Sequence, residues 1–256
     1  MWECLKCCIF IQYTYPKTAT VTSTPPALEA LHPALWRASQ LAQGNVRTVD
    51  TGYATLSAEL PGGGWPLGQL IELLAKRPGL GELRLLRPAL NVVARRPIVL
   101  LAPPHLPHAT ALTGWGLPPA QLLWLRPQHA AHACWAAEQI LRAGTCGALL
   151  FWHEQLRHDR LRRLHLAAQA SETLFCLMRP HHAAGAASPA PLRLQLDSTA
   201  QGLAIHFLKR RGPPRDTPLL LALQPQPVLR HRHVIPVDLP APAPLSAGSL
   251  PAALVP

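Results

Sequence analysis

The residues with the most chemical potential run from Leu60 to Leu86. A glycine cluster, Leu60-Pro61-Gly62-Gly63-Gly64-Trp65-Pro66, reads as a tight irregular loop. An apolar strand ending Glu72-Leu73-Leu74 follows, then a second loop carrying Lys76, Arg77, Gly79 and Gly81, then a helical pattern. Strand, glycine loop and helix N-terminus in that order form the layout of a phosphate-binding loop, whose backbone N–H groups and helix dipole hold an anion. A working loop ends Gly-Lys-Ser/Thr, the lysine reaching the terminal phosphates and the hydroxyl holding Mg²⁺. Here the corresponding residues are Gly81-Glu82-Leu83. Glu82 puts repulsion where attraction is needed, and a unit charge at ~4 Å is worth ~4 kcal/mol at an effective dielectric near 20. Leu83 cannot coordinate a metal. Lys76 and Arg77 are the candidates to rescue anion binding. The set Lys76, Arg77, Gly79, Gly81, Glu82 and Leu83 is therefore read as a degenerate phosphate loop, with no catalytic residue, no metal and no cofactor, ATP included.

Other constellations add nothing. The chain has no Gly-x-Ser-x-Gly elbow, no His-Glu-x-x-His and no Gly-x-Gly-x-x-Gly. His129 and His132, His181 and His182, and His231 and His233 are read as solvated pairs, not metal ligands. Cys134, Cys146 and Cys176 fall singly in apolar segments and read as small buried hydrophobes. Cys4, Cys7 and Cys8 lie near the start, and one Cys-x-x-Cys without a second pair is a weak zinc signal.

The elements that must position the loop follow from the apolar pattern. Gln69 to Leu74, Ile98 to Ala102, Leu122 to Leu125, Ala148 to Trp152 and Leu174 to Met178 are short, nearly continuous apolar runs, as strands covered on both faces must be. Between them lie helical stretches. Leu83, Leu86, Leu90 and Val93 mark one, with a kink expected at Pro88. Ala133, Ala136 or Ala137, and Ile140 or Leu141 mark a second, stopped by Gly144. Leu161, Leu164 and Ala168 mark a third, with Arg160, Arg162 and Arg163 on its outer face. Alternating strands and helices predict a largely parallel sheet. After residue 190, Leu192, Leu194 and Leu196, then Ile205 and Phe207, alternate with polar residues around a turn at Asp197 to Gly202. Leu219 to Leu223 can add one more strand, so antiparallel members are expected at one edge. Residues 1–27 read as a disordered leader and linker, 28–223 as the folded domain, and 224–256 as a Pro-rich flexible tail.

Composition limits the partners. With 24 basic against 13 acidic residues the formal charge is +11, which favours an acidic protein surface or nucleic acid. Aromatics are only 5% of the chain, too sparse for a single-strand stacking platform. A protein partner is favoured, and any DNA contact is expected to be indirect. The start lacks the pattern of an export signal, and no run approaches the ~20 apolar residues of a membrane span. A cytoplasmic, membrane-free protein is expected.

The Leu60–Glu72 block resembles the segment leading into the phosphate loop of RecA-type recombinases. Pro103 and Pro104 stand about where that family carries its catalytic acid, and Trp152 where an Asp would touch Mg²⁺. A closer resemblance is to the ImuA family of RecA-like proteins. It is carried by His32-Pro33-Ala34-Leu35-Trp36-Arg37, Gly62–Glu72, Gly81-Glu82-Leu83-Arg84-Leu85-Leu86, Leu101–Pro107, Trp135-Ala136-Ala137-Glu138-Gln139 and Leu208-Lys209-Arg210-Arg211-Gly212. The resemblance implies an α/β, RecA-like P-loop-type three-layer fold with a degenerate loop. It implies a non-catalytic adaptor in SOS-induced, error-prone translesion synthesis, beside an ImuB-like Y-family polymerase relative, an alternative polymerase III alpha subunit and RecA. Lys209, Arg210 and Arg211 are the candidate partner-binding residues. The SulA family, division inhibitors that bind FtsZ, shares Gly114–Pro118, Leu141–Gly144 running into Phe151-Trp152, and Met178-Arg179-Pro180, and is the alternative.

Overall fold

The structure, a computed structural model, describes residues 47–212 and 214–223 of the 256-residue chain. The leader, the His32–Arg37 segment and the Pro-rich tail lie outside the described residues.

Ten strands and five helices alternate along the described chain. Strand β1 (Thr48–Val49) is followed by helix α1 (Ala54–Glu59), a 3-10 turn at Pro61–Gly63, and β2 (Trp65–Pro66). Next come β3 (Leu70–Ala75), α2 (Glu82–Val93), β4 (Ile98–Leu101), α3 (Ala109–Gly114), β5 (Leu122–Leu125), α4 (Ala130–Ala143), β6 (Ala148–Trp152), α5 (His158–Ala168) and β7 (Leu174–Pro180). The last three strands are β8 (Leu192–Ser198), β9 (Gly202–Lys209) and β10 (Leu219–Ala222). The glycine cluster, expected to hold neither helix nor strand, contains that 3-10 turn and leads into β2, which pairs antiparallel with β1. Trp65 there is fully buried.

Eight strands form one mixed sheet in the order β10-β9-β8-β3-β7-β6-β4-β5. The pairings from β5 through β8 are all parallel. Strand β9 runs antiparallel to both β8 and β10, so the antiparallel members sit at one edge, as the alternation after residue 190 predicts. The central strand β3 is buried from Leu70 to Leu74 because both faces are covered. One core packs Leu56 of α1, Leu85, Leu86 and Leu90 of α2, and Leu112 of α3 against Ile71, Leu73, Leu100, Leu150 and Leu194. The other packs Ala137 and Leu141 of α4 and Leu161 and Leu164 of α5 against Leu70, Val99, Leu149, Phe151 and Phe175. The result is three layers, with helices on both faces of a mostly parallel sheet.

One expectation needs correction. Strand β5 is not covered on both faces: it ends the sheet beside β4, and Leu123, Trp124 and Leu125 are exposed. Its apolar run has the composition of a central strand, but nothing follows it in the sheet. Helix α2 continues through Pro88, from Glu82 to Val93. Proline has no N–H for the carbonyl of Arg84, and the Tyr53 hydroxyl donates to that oxygen at 3.3 Å instead. Arg163 is exposed on the outer face of its helix, as expected, and its guanidinium also donates to the buried Glu138 of α4, at 3.0 and 2.9 Å, tying α5 to α4. No helix among the described residues is long and apolar enough to cross a membrane.

Candidate functional site

The chain leaves β3 through α2, which packs on one face of the sheet, and leaves β7 through residues 181–191, whose Ala190 packs on the other. Connections that depart to opposite faces leave a crevice at the carboxyl ends of the strands, the place where open α/β sheets bind ligands. A cavity of about 370 Å³ lies there, with walls from the ends of β3, β6 and β7 and the loops after β3 and β4. Ala102, just after β4, lines it with φ of 51°, a left-handed backbone that costs a residue bearing a Cβ.

The loop after β3 is closed by its own side chain. Gly81, at φ 124°, caps α2, and Glu82 begins the helix, where the N-terminal dipole favours an acid. Its carboxylate turns back: Oε1 accepts from the Gly79 N–H at 2.6 Å and Oε2 from the Gly81 N–H at 3.1 Å. Glu82 is only 5% exposed. Two backbone N–H groups of this glycine loop are thus held by an internal carboxylate. Charge alone suggests only that Glu82 repels an anion; the structure adds that its carboxylate occupies two donors of the loop.

The remaining loop residues stand around this closure. Lys76 and Arg77 are exposed at the cavity, and the Lys76 ammonium lies 3.5 Å from Asp197 of β8. That pairing, with a hydrogen bond from Gln195, holds the Asp197 carboxyl below its ordinary range, the Gln195 bond being the larger cause. Leu83 is half-buried and packs against the first core. Pro104 and Trp152, the positions read as replacing a catalytic acid and a magnesium-binding Asp, both line the cavity.

Sequence reasoning missed the charged group behind this cavity. Glu72, in the middle of β3, is fully buried and lies among Arg179, Arg193 and Ser188. Its Oε2 accepts from Arg193 Nε at 2.8 Å, and its Oε1 from the Ser188 hydroxyl at 2.6 Å. Arg193 also donates to the carbonyls of Ala183 and Ala184, at 2.9 and 3.1 Å. Beside Arg179, His153 is held below its ordinary imidazole range, mainly by burial and then by the Arg179 charge. One signal was available: a lone acid inside an otherwise apolar central strand requires a cation.

With this geometry in view, the comparisons have a place. No family model matches the chain. The chain is similar to SulA. Over 87 residues it is 34% identical to the cell division inhibitor SulA of Edwardsiella piscicida, a stretch that takes in 34% of this chain and 52% of that protein. The chain therefore spans about half the length of the curated relative it matches. The crystal structure of SulA from Pseudomonas aeruginosa aligns with 43% of this chain and 97% of its own, at 27% identity and a TM-score of 0.37; a spatial likeness that low carries no argument.

The second group of candidates divides. Arg210 is not a free prong. Its Nη1 donates to the Glu59 carboxylate and to the Glu59 carbonyl, both at 2.6 Å, and its guanidinium lies 4.9 Å from the Phe207 ring centre. Arg215 joins the same carboxylate. Lys209 and Arg211 remain exposed, and Lys209 donates to the Ser188 carbonyl at 3.1 Å. Neither Lys209, Arg210 nor Arg211 lines the cavity. The histidine pair His129 and His132 stacks edge to face at 5.1 Å, and no metal-ligating cluster occurs among the described residues.

Proposed function

We propose that the chain is a non-catalytic protein of the bacterial DNA-damage response that works by docking to other proteins. The observation that carries this reading is the Glu82 carboxylate seated on the Gly79 and Gly81 N–H groups. A fold with a ligand crevice at its strand ends, whose phosphate donors are occupied from within, retains a surface but lacks the grip for nucleotide turnover.

Within that class the adaptor reading comes first. The chain would act in error-prone translesion synthesis, contacting an ImuB-like polymerase relative and RecA, with DNA approached through those partners. The segments resembling ImuA support it, and among the described residues they include the closed loop itself and the strand end at Lys209. Lys209 and Arg211 are the residues proposed to meet an acidic partner; Arg210 is proposed to hold that strand end to α1 through Glu59. The second reading is a division inhibitor that binds FtsZ, favoured by the identity shared with SulA.

Pairwise interaction assays of the full chain against ImuB, RecA and FtsZ separate the two. Binding to ImuB or RecA, weakened at least tenfold by the double variant Lys209→Glu/Arg211→Glu, is the expected result. Binding to FtsZ alone replaces the adaptor with the inhibitor. Steady phosphate release from ATP by the pure chain overturns both.

A further inference from the structure

The buried charges behind the cavity do not balance. Two guanidinium groups, Arg179 and Arg193, face one carboxylate, Glu72, and their side chains are 3%, 9% and 0% exposed. Glu72 is shared: it accepts hydrogen bonds from Arg193 Nε and from the Ser188 hydroxyl, and it faces Arg179 at ion-pair distance. Arg179 Nη1 stands 3.5 Å from Glu72 Oε1, and neither its Nη1 nor its Nε makes a hydrogen bond among the described residues. An enclosed cation with unspent donors is strongly disfavoured unless an anion completes it.

Arg179 lines the 370 Å³ cavity. His153 lines it too, and its Nδ1 is also buried without a hydrogen-bond partner among the described residues. The imidazole is held toward its neutral form, so Nδ1 can present a proton to an acceptor without adding a second charge. Around these two groups the apolar walls come from Leu73, Ala75, Trp152 and Met178, while Lys76, Arg77, Glu82 and Glu154 also line the cavity, two cations against two carboxylates. A mostly apolar pocket with a few convergent polar groups suits a small molecule with an apolar body and one anionic end. The volume fits a group of about aromatic-ring size with its substituent. A polyphosphate is the wrong ligand, because the loop donors it needs are held by Glu82.

We propose that this cavity is a receptor for a small oxyanion on an apolar body, a carboxylate or a phosphate monoester, with Arg179 as its counter-charge and His153 as a second donor. Protein docking is not required for it, so the two ideas fail separately.

Melting of the full chain in a buffer free of phosphate and carboxylate tests it. The probes are phenylacetate, phenyl phosphate and the uncharged 2-phenylethanol. A saturable rise in Tm with phenylacetate, phenyl phosphate or both, and none with the alcohol, is expected, and the two anions distinguish the carboxylate source from the phosphate source. Arg179→Met removes the rise and, without ligand, melts no lower than the wild type because it deletes an unbalanced charge. Ala75→Met keeps Arg179 but fills the cavity, and it also removes the rise; this variant decides the matter if Arg179→Met fails to fold. No rise with either anion, an equal rise with the alcohol, or a rise surviving in a folded Arg179→Met or in Ala75→Met overturns the proposal.

Discussion

Glu82 shows how one side chain can close a loop from within. Its two carboxylate oxygens meet two N–H donors at the start of α2, a charge-assisted arrangement in a nearly buried position. Glu82→Ala should cost about 1–3 kcal/mol in chemical denaturation, since both donors lose their acceptor. A variant as stable as the wild type would mean that water serves those donors equally well. The identity of Glu82 was legible in the sequence as a reversal of charge, but its action was not. Repulsion can be read from residue type; a carboxylate folding back onto donors one and three residues before it depends on the loop's glycine conformations. Arg210 illustrates the same limit: it reads as part of a basic run, and only the fold brings Glu59 to it from 151 positions earlier.

At the level of elements, the strands were legible because burial on both faces leaves an unmistakable run of apolar residues, as in β3, β4, β6 and β7. The same signal misled for β5, where the run Leu122–Leu125 lies at the edge and three of its four residues are exposed. Helix α2 holds a contact that the sequence did not reveal. Pro88 leaves the Arg84 carbonyl without its helical donor, and the Tyr53 hydroxyl supplies one from a loop 31 residues earlier. Tyr53→Phe should therefore cost about 1 kcal/mol in an otherwise wild-type chain. In a Pro88→Ala background, which restores the backbone N–H, the same change should cost measurably less, as a double-mutant cycle by urea unfolding would show. Equal costs in the two backgrounds would remove the hydroxyl from the account of that helix.

Across the whole molecule, stability should depend on pH in a definite direction. His153 and His165 both have imidazoles held below their ordinary range, chiefly by burial, and His165 Nδ1 accepts from the Leu70 N–H at 3.4 Å. The unfolded chain takes up protons at these sites at a higher pH than the folded chain. Their contribution is thus fully present above the ordinary histidine value and is lost as pH falls below ~6.5 toward the folded values. Thermal melting between pH 8 and 5 should show Tm falling through that window, with a shallower fall in the double variant His153→Gln/His165→Asn. An unchanged slope in that variant would assign the loss to other groups.

The architecture as a whole is a mostly parallel sheet with a crevice at its strand ends, where the Glu82 carboxylate holds two backbone donors. The decisive question is whether nucleotide can displace Glu82. Isothermal titration of the full chain with ATP and magnesium asks this most directly. No saturable heat at millimolar nucleotide is the expected result. A one-site isotherm in the micromolar range would contradict it.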